Sequence, residues 1–345
     1  MELRPIASYA QAVRPTLPDA VFEPARSRLL WLPVHVTVIA GIAWALAAGH
    51  VPAPLWPVAS LVIGVCMSAV AFLGHETLHG AVVRGRLAIR VVGWICLLPF
   101  TCSPTLWTAW HNRVHHNQCA KPGADPDMYP TLSEYETQPA MRIMADYFGL
   151  GGRRLSSVFS LLLGFTGQSQ QMLWEARKHG FLDGPRYMRA IGELVLGVGF
   201  WTAVALLIGF VPFAFVYLLP LIVANVVVMS FIMTNHNLSS LTPTVNDPLV
   251  NSLSVTLPRP LEWLSLDFGY HVEHHVFPTM SARHGRRVRE ALRAQFPDHY
   301  QSMPLPRALG QLWRTGRVYQ DNTTLIDPRT GRTAPTLQPR RDASL

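Results

Sequence analysis

Charge is scarce in this chain. Of 345 residues only 14% are Asp, Glu, Lys or Arg, while 49% are hydrophobic, a balance that argues against a pair of soluble domains and for a chain with long apolar segments. Cysteine is scarce too. Cys66, Cys96, Cys102 and Cys119 form no CxxC pair and no even framework, which excludes a rubredoxin-like iron centre and a disulfide scaffold. The first 28 residues carry acids and prolines without a short apolar core and small-residue cleavage site, so no removable signal peptide is expected. A segment from about Thr323 to Leu345, rich in Thr, Pro and Arg, lacks apolar periodicity and is expected to be a flexible tail on a single domain of residues 1–322.

What is present is apolar length. Four stretches, about 29–49, 56–73, 191–210 and 211–234, reach the roughly 20 helical residues that ~30 Å of hydrocarbon requires. They form two hairpins. Pro52 and Pro54 turn the first, and Pro212 is expected to turn the second. The fold class is therefore an all-α integral membrane protein of four transmembrane helices. Two further stretches, about 87–106 and 155–173, are interrupted by Arg90, Pro99 and Pro104 or end in glutamines, and suit interfacial helices.

The basic residues sort by side. Four precede Leu29, twelve lie between His75 and Ala190, thirteen follow from Asn235, and none lies in either hairpin connector. By the positive-inside rule both termini and the central region are cytoplasmic. The net charge of +8 is then concentrated on one face, suited to anionic lipid head groups and to an acidic soluble partner. Nucleic acid is not expected, because the Arg-rich stretch Arg283–Arg293 is short and reads as an amphipathic surface helix.

On that same face stand three histidine clusters: His75 and His79; His111, His115 and His116; and His271, His274 and His275. Spacings of three and four residues stack side chains on one face of a helix, so His75 with His79 and His111 with His115 read as two-point clamps. His116, turned by roughly 100°, would reach a second ion or the far side of the first. His236 closes the fourth span on the same side. Neutral imidazole is a favoured ligand of zinc, copper and iron, and a tetrahedral ion takes about four ligands, so nine imidazoles favour two metals. His35, His50, His179, His284 and His299 have no such company.

The order HxxxH, HxxxHH, HxxHH, with the first and last each after a hairpin, resembles the membrane fatty acid desaturase and hydroxylase family. The likeness extends to Trp110, to Asp125-Pro-Asp127, to Phe268-Gly-Tyr-His271 and to Phe277-Pro278, and covers roughly Leu29 to Arg293. It implies a mushroom-like helical fold with a cytoplasmic helical cap, a non-haem di-iron centre on the nine histidines, and dioxygen as co-substrate. The reaction implied is desaturation of a fatty acyl chain linked to CoA, carrier protein or lipid. Hydroxylation, acetylenic bond formation, carotenoid oxygenation and decarboxylation to a terminal alkene share the same boxes.

Glu76, Glu273, Asp125, Asp127 and Asp267 are candidates to orient the ligands from behind; Asp267 stands where relatives often carry Asn. Trp107 and Trp110 are candidates to line an acyl tunnel, or to anchor at the interface. With no His-Pro-Gly-Gly signature of a fused cytochrome b5, electrons are expected from a separate ferredoxin or rubredoxin with its reductase, docking at Arg286, Arg287 and Arg289. A remote alternative is an intramembrane zinc metalloprotease using the HExxH at 75–79. It leaves six clustered histidines without work. A soluble-type di-iron carboxylate bundle needs two Glu-x-x-His motifs, and Glu76 to His79 supplies one.

Overall fold

The computed structural model describes residues 2–178 and 180–339; His179 and residues 340–345 of the expected tail lie outside the described residues. A short helix α1 (Ile6–Val13) precedes the first of four helices long and apolar enough to cross a membrane: α2 (Arg26–Ala47), α3 (Ala53–Leu78), α8 (Gly184–Ile208) and α9 (Phe210–His236). Between the hairpins run α4 (Arg86–Phe100), α5 (Pro104–Gln118), α6 (Pro139–Ile143) and α7 (Phe159–Glu175).

The second hairpin turns at Gly209 rather than at the expected Pro212. Gly209 adopts φ +82°, a left-handed conformation that glycine reaches without a Cβ penalty, whereas Pro212 lies in the first turn of α9, where a missing N–H costs nothing. Helices α3 and α9 lie side by side in the same direction: Trp56 meets Phe215 near their starts and Phe72 meets Phe231 near their ends. Gly64 permits this approach, since a Cβ there would stand 2.5 Å from the Cβ of Val223. Parallel packing brings the C-terminal ends of α3 and α9, with His79 and His236, to one level.

The expected interfacial helix over 87–106 is instead two arms. Helices α4 and α5 meet at 104°, broken where Thr101 takes φ +51°. Ser103 restarts the chain as an N-cap, its Oγ accepting the Leu106 N–H at 3.0 Å. Glu193 of α8 reinforces that start, accepting from Ser103 Oγ at 2.6 Å and from Thr105 N and Oγ1 at 3.1 and 2.9 Å. An acid inside an apolar helix thus caps the arm that carries the second histidine cluster.

Beyond α9 come strand β1 (Ser254–Thr256), α10 (His271–Val276), α11 (Gly285–Gln295), strand β2 (Ser302–Pro304) parallel to β1, and α12 (Leu305–Arg314). The expected loose segment does not begin at Thr323. Strands β3 (Val318–Asp321), β4 (Thr324–Asp327) and β5 (Arg332–Pro335) form an antiparallel sheet, with Tyr319 and Leu325 buried beside Cys119 and Leu241. Two residues past β5, Leu337 donates its N–H to Leu238 O at 2.7 Å. Strands of four residues, Val-Tyr-Gln-Asp, Thr-Leu-Ile-Asp and Arg-Thr-Ala-Pro, are too short and too mixed to show a period, which hid the sheet from the sequence.

Candidate metal centre

Each histidine cluster occupies a helix end that the fold delivers to one place. His75 lies in the last turn of α3, with its ring 4.8 Å from that of His79. Residues Thr108–His115 of α5 wind as a π-helix, in which backbone bonds reach five residues back, a geometry frequent at functional sites. The winding adds a second partner for His111. His116 N–H bonds to His111 O, and the two rings meet edge to face with Nε2 atoms 3.2 Å apart. The expected neighbour His115 stays close, its ring stacked on His111 at 5.0 Å, and with Asp127 these two bring ligand atoms to within 4.8 Å of one another.

The nine imidazoles gather in two groups. His75, His79, His111, His116 and His274 bring one ligand atom each to within 4.8 Å of one another. His115, His236 and His275 form the second group together with Cys119, and His271 joins it, its Nε2 lying 2.6 Å from His236 Nε2 and 3.0 Å from His275 Nε2. His116 links the groups, with its Nε2 3.0 Å from that of His274 and its ring stacked on His275 at 4.5 Å.

The outer nitrogens decide what the inner ones carry. His236 Nδ1 faces the carbonyl of Asn251 at 3.3 Å; a carbonyl only accepts, so Nδ1 holds the proton and Nε2 presents a lone pair. His115 Nδ1 lies 2.9 Å from Asp125 Oδ1, and its buried Nε2 has no hydrogen-bond partner, as is also true of His75 Nε2 and His79 Nε2. Burial, reinforced by neighbouring imidazoles, holds His271, His274 and His275 well below the usual histidine range. His115 goes the other way: burial lowers it, but Asp125 and Asp127 outweigh burial and raise it to about 9. The remaining rings are neutral, and their converging lone pairs repel one another unless cations sit between them. The donor set fits two metal ions.

The carboxylates divide by what they touch. Asp125 supports the centre directly, its Oδ2 accepting the Ala120 N–H at 2.8 Å while Oδ1 faces His115. Although burial raises its pKa, the His115 ring and that N–H prevail and hold it below the usual carboxylate range. Asp127 stands 3.3 Å from His115 Nδ1 and is fixed by Trp110 Nε1 at 3.1 Å. Glu273 reaches no imidazole. It accepts from Ser254 Oγ at 2.6 Å, and that oxygen accepts the N–H groups of His271 and Val272, so the acid orients the start of α10 rather than a ring. Glu76 accepts from Ser281 Oγ at 2.5 Å, and Asp267 pairs with Arg28 at 3.0 Å.

Two further expectations are corrected. Arg289 is not free for a partner: its Nε lies 3.3 Å from Glu273 Oε1 and 3.1 Å from Tyr300 OH, and its guanidinium covers Tyr270 at 4.2 Å. Arg286 and Arg287 are exposed on the outer face of α11. Trp107 and Trp110 are buried, not interfacial, and Trp107 stacks on His111 at 4.4 Å. Both line a void of about 40 Å³ bordered also by His75, His111, His115, His236 and His271 and by Phe72, Phe165 and Phe268.

Sequence reasoning missed Arg28, Glu193 and Cys119. Arg28 bridges Asp267 and Glu76 and donates to Leu266 O, tying the first and third clusters, but before a span it reads as a charge anchor. Cys119 Sγ stands 3.6 Å from His236 Nδ1; its one signal is its place four residues after His115. Burial and nearby Asp125 push its thiol far up, so it is a neutral thiol behind His236.

Fold and site together define a helical membrane protein with a histidine-rich metal-binding cluster. Residues 51–306 match the family model described as fatty acid desaturase, and the chain belongs to that family. A protein of Synechocystis sp. named "sn-1 acyl-lipid omega-3 desaturase (ferredoxin)" is 24% identical over 307 residues, 84% of this chain and 82% of that protein.

Proposed function

We propose that this chain desaturates a fatty acyl chain with dioxygen at a pair of irons, drawing electrons from a separate donor protein on the cytoplasmic side. The observation that carries this reading is the division of nine imidazoles into two neighbouring groups with their lone pairs turned inward. His75, His79, His111, His116 and His274 would hold one ion, and His115, His236, His271 and His275 the other. Given two electrons and dioxygen, such a pair supplies an oxidant able to take two vicinal hydrogens from an unactivated chain, leaving a double bond and water.

The protein's part is to position and to keep dry. Asp125 and Asn251 fix the ring orientation of His115 and His236. Phe72, Phe165, Phe268, Val228 and Ile232 make an apolar wall where a chain would lie against the histidines, so that oxidising chemistry is screened from solvent. The Synechocystis relative carries an acyl-lipid substrate and ferredoxin in its name, which supports a lipid-linked chain and a ferredoxin-like donor here. Hydroxylation and terminal-alkene formation would differ in where the chain lies against the same centre. The protease reading is disfavoured because Glu76, which would serve as its base, is engaged by Ser281 and Arg28.

Purification of the full chain with metal analysis and lipid profiling tests the proposal. About two irons per chain and new double bonds in host lipids are expected. One zinc without iron, or unchanged lipids with a competent donor present, would overturn it.

A further inference from the structure

Behind the void at the histidines lies a much larger space. A groove of about 940 Å³ runs between α7, the 121–149 segment and the histidine end of α9, at the upper end of the 300–1,000 Å³ typical of small-molecule sites. Its interior is soft and apolar, with Met172, Met229 and Met233 buried at 6%, 6% and 4% exposure, side chains that adapt to flexible ligands. Its rim is apolar and uncovered. Phe148, Phe159 and Leu163 are 44%, 51% and 51% exposed, an arrangement that water disfavours and a lipid surface accepts. Arg113 and Lys121 lie on the same rim and are exposed, in reach of an anionic head group.

Groove and void share a wall. Asp127, Gln168 and Ile232 border both. Gln168 Nε2 donates to Asp127 Oδ1 at 2.7 Å and to Pro126 O at 3.2 Å, and Trp110 Nε1 donates to the same carboxylate oxygen. A polar partition, anchored at both ends, thus separates an acyl-sized groove from the histidines. One residue before Gln168, Gly167 faces the groove, and a Cβ there would meet nothing within 4 Å.

We propose that the groove admits the acyl chain of a membrane lipid laterally from the bilayer, and that Gln168 is the stop that sets how far the chain passes toward the histidines. The inference rests on the desaturase reading. Swinging the Gln168 amide from Asp127 joins the two spaces; Trp110 Nε1 remains on the carboxylate, and burial of the incoming apolar chain offsets the two hydrogen bonds given up. Gly167 leaves the groove wide enough for that chain to lie along α7.

The test uses the full chain in lipid nanodiscs containing a phospholipid with a mid-chain diazirine, and in parallel a diazirine-bearing acyl-CoA added from solution. Photolabelling by the phospholipid at Met172 and Met229 is expected. Gly167→Phe should cut it about tenfold, equivalent to roughly 1.4 kcal/mol of binding, while Gly167→Ala retains it. Gln168→Ala should carry the label inward to Phe165 and Val228 and shift the position of the double bond. Labelling confined to the lipid-facing side chains of α2 and α8, labelling by acyl-CoA alone, or indifference to Gly167→Phe would overturn the proposal. Label at Met172 and Met229 without new double bonds would uphold the groove and count against desaturation; new double bonds without that label would do the reverse.

Discussion

At the scale of single residues, the carboxylates show that nearness to an imidazole in sequence is not support of it in space. Glu76 and Glu273 are chain neighbours of His75 and His274, yet they bond to Ser281 and Ser254. Asp125, ten residues from His115, bonds to its ring. Asp125→Asn keeps the shape and removes the charge that orients Nδ1–H. Metal affinity is expected to fall about 10- to 100-fold, the usual effect of losing such a partner, as measured by chelator competition. Asp267→Asn touches no imidazole. It leaves the buried Arg28 short of a carboxylate, so it should lower the melting temperature while the folded protein retains wild-type metal affinity.

At the scale of elements, the C-terminal sheet has a role that its position hides. Leu241 N–H bonds to Asn322 O at 2.8 Å, Leu337 N–H to Leu238 O, and Ser240 Oγ to Thr336 Oγ1 at 2.7 Å. These bonds hold the segment leaving α9 directly after His236. Truncation after Asn322 exposes the partners of fully buried Leu325, a loss of about 1.5–3 kcal/mol from that side chain alone. The truncated chain should melt lower and lose metal from the His236 group first, read by metal content and thermal denaturation in detergent. The same elements show where sequence legibility ends. Helix-spaced histidines and apolar runs are local patterns, so four spans and nine imidazoles could be read directly. The π-helical winding that separates His115 from His116, and the Glu193 cap formed across 88 residues with Thr105, depend on tertiary packing that no local spacing encodes.

For the whole molecule, the proposed function requires separate approaches to the histidines for a lipid and for an electron donor. Arg113 and Lys121 border the groove near α7, whereas Arg283, Arg286 and Arg287 project beside α11, adjoining the third histidine cluster. Exposed pairs such as Arg286 with Glu290, 72% and 64% exposed, contribute little to stability, so their charge is available to steer an acidic partner. Steering acts through the association rate and weakens as salt rises. Arg286→Glu with Arg287→Glu should therefore raise the KM for a reduced ferredoxin about tenfold at low ionic strength, converge on wild type at high salt, and leave metal content unchanged. Arg289→Glu belongs to a different class, because it places a second carboxylate against Glu273 in a nearly closed pocket. That variant should disturb the start of α10 and lose metal at every salt concentration. Stopped-flow oxidation of the donor, run beside iron analysis of each variant, separates the two: a shared salt-dependent phenotype for all three arginines would contradict the division drawn between docking and support.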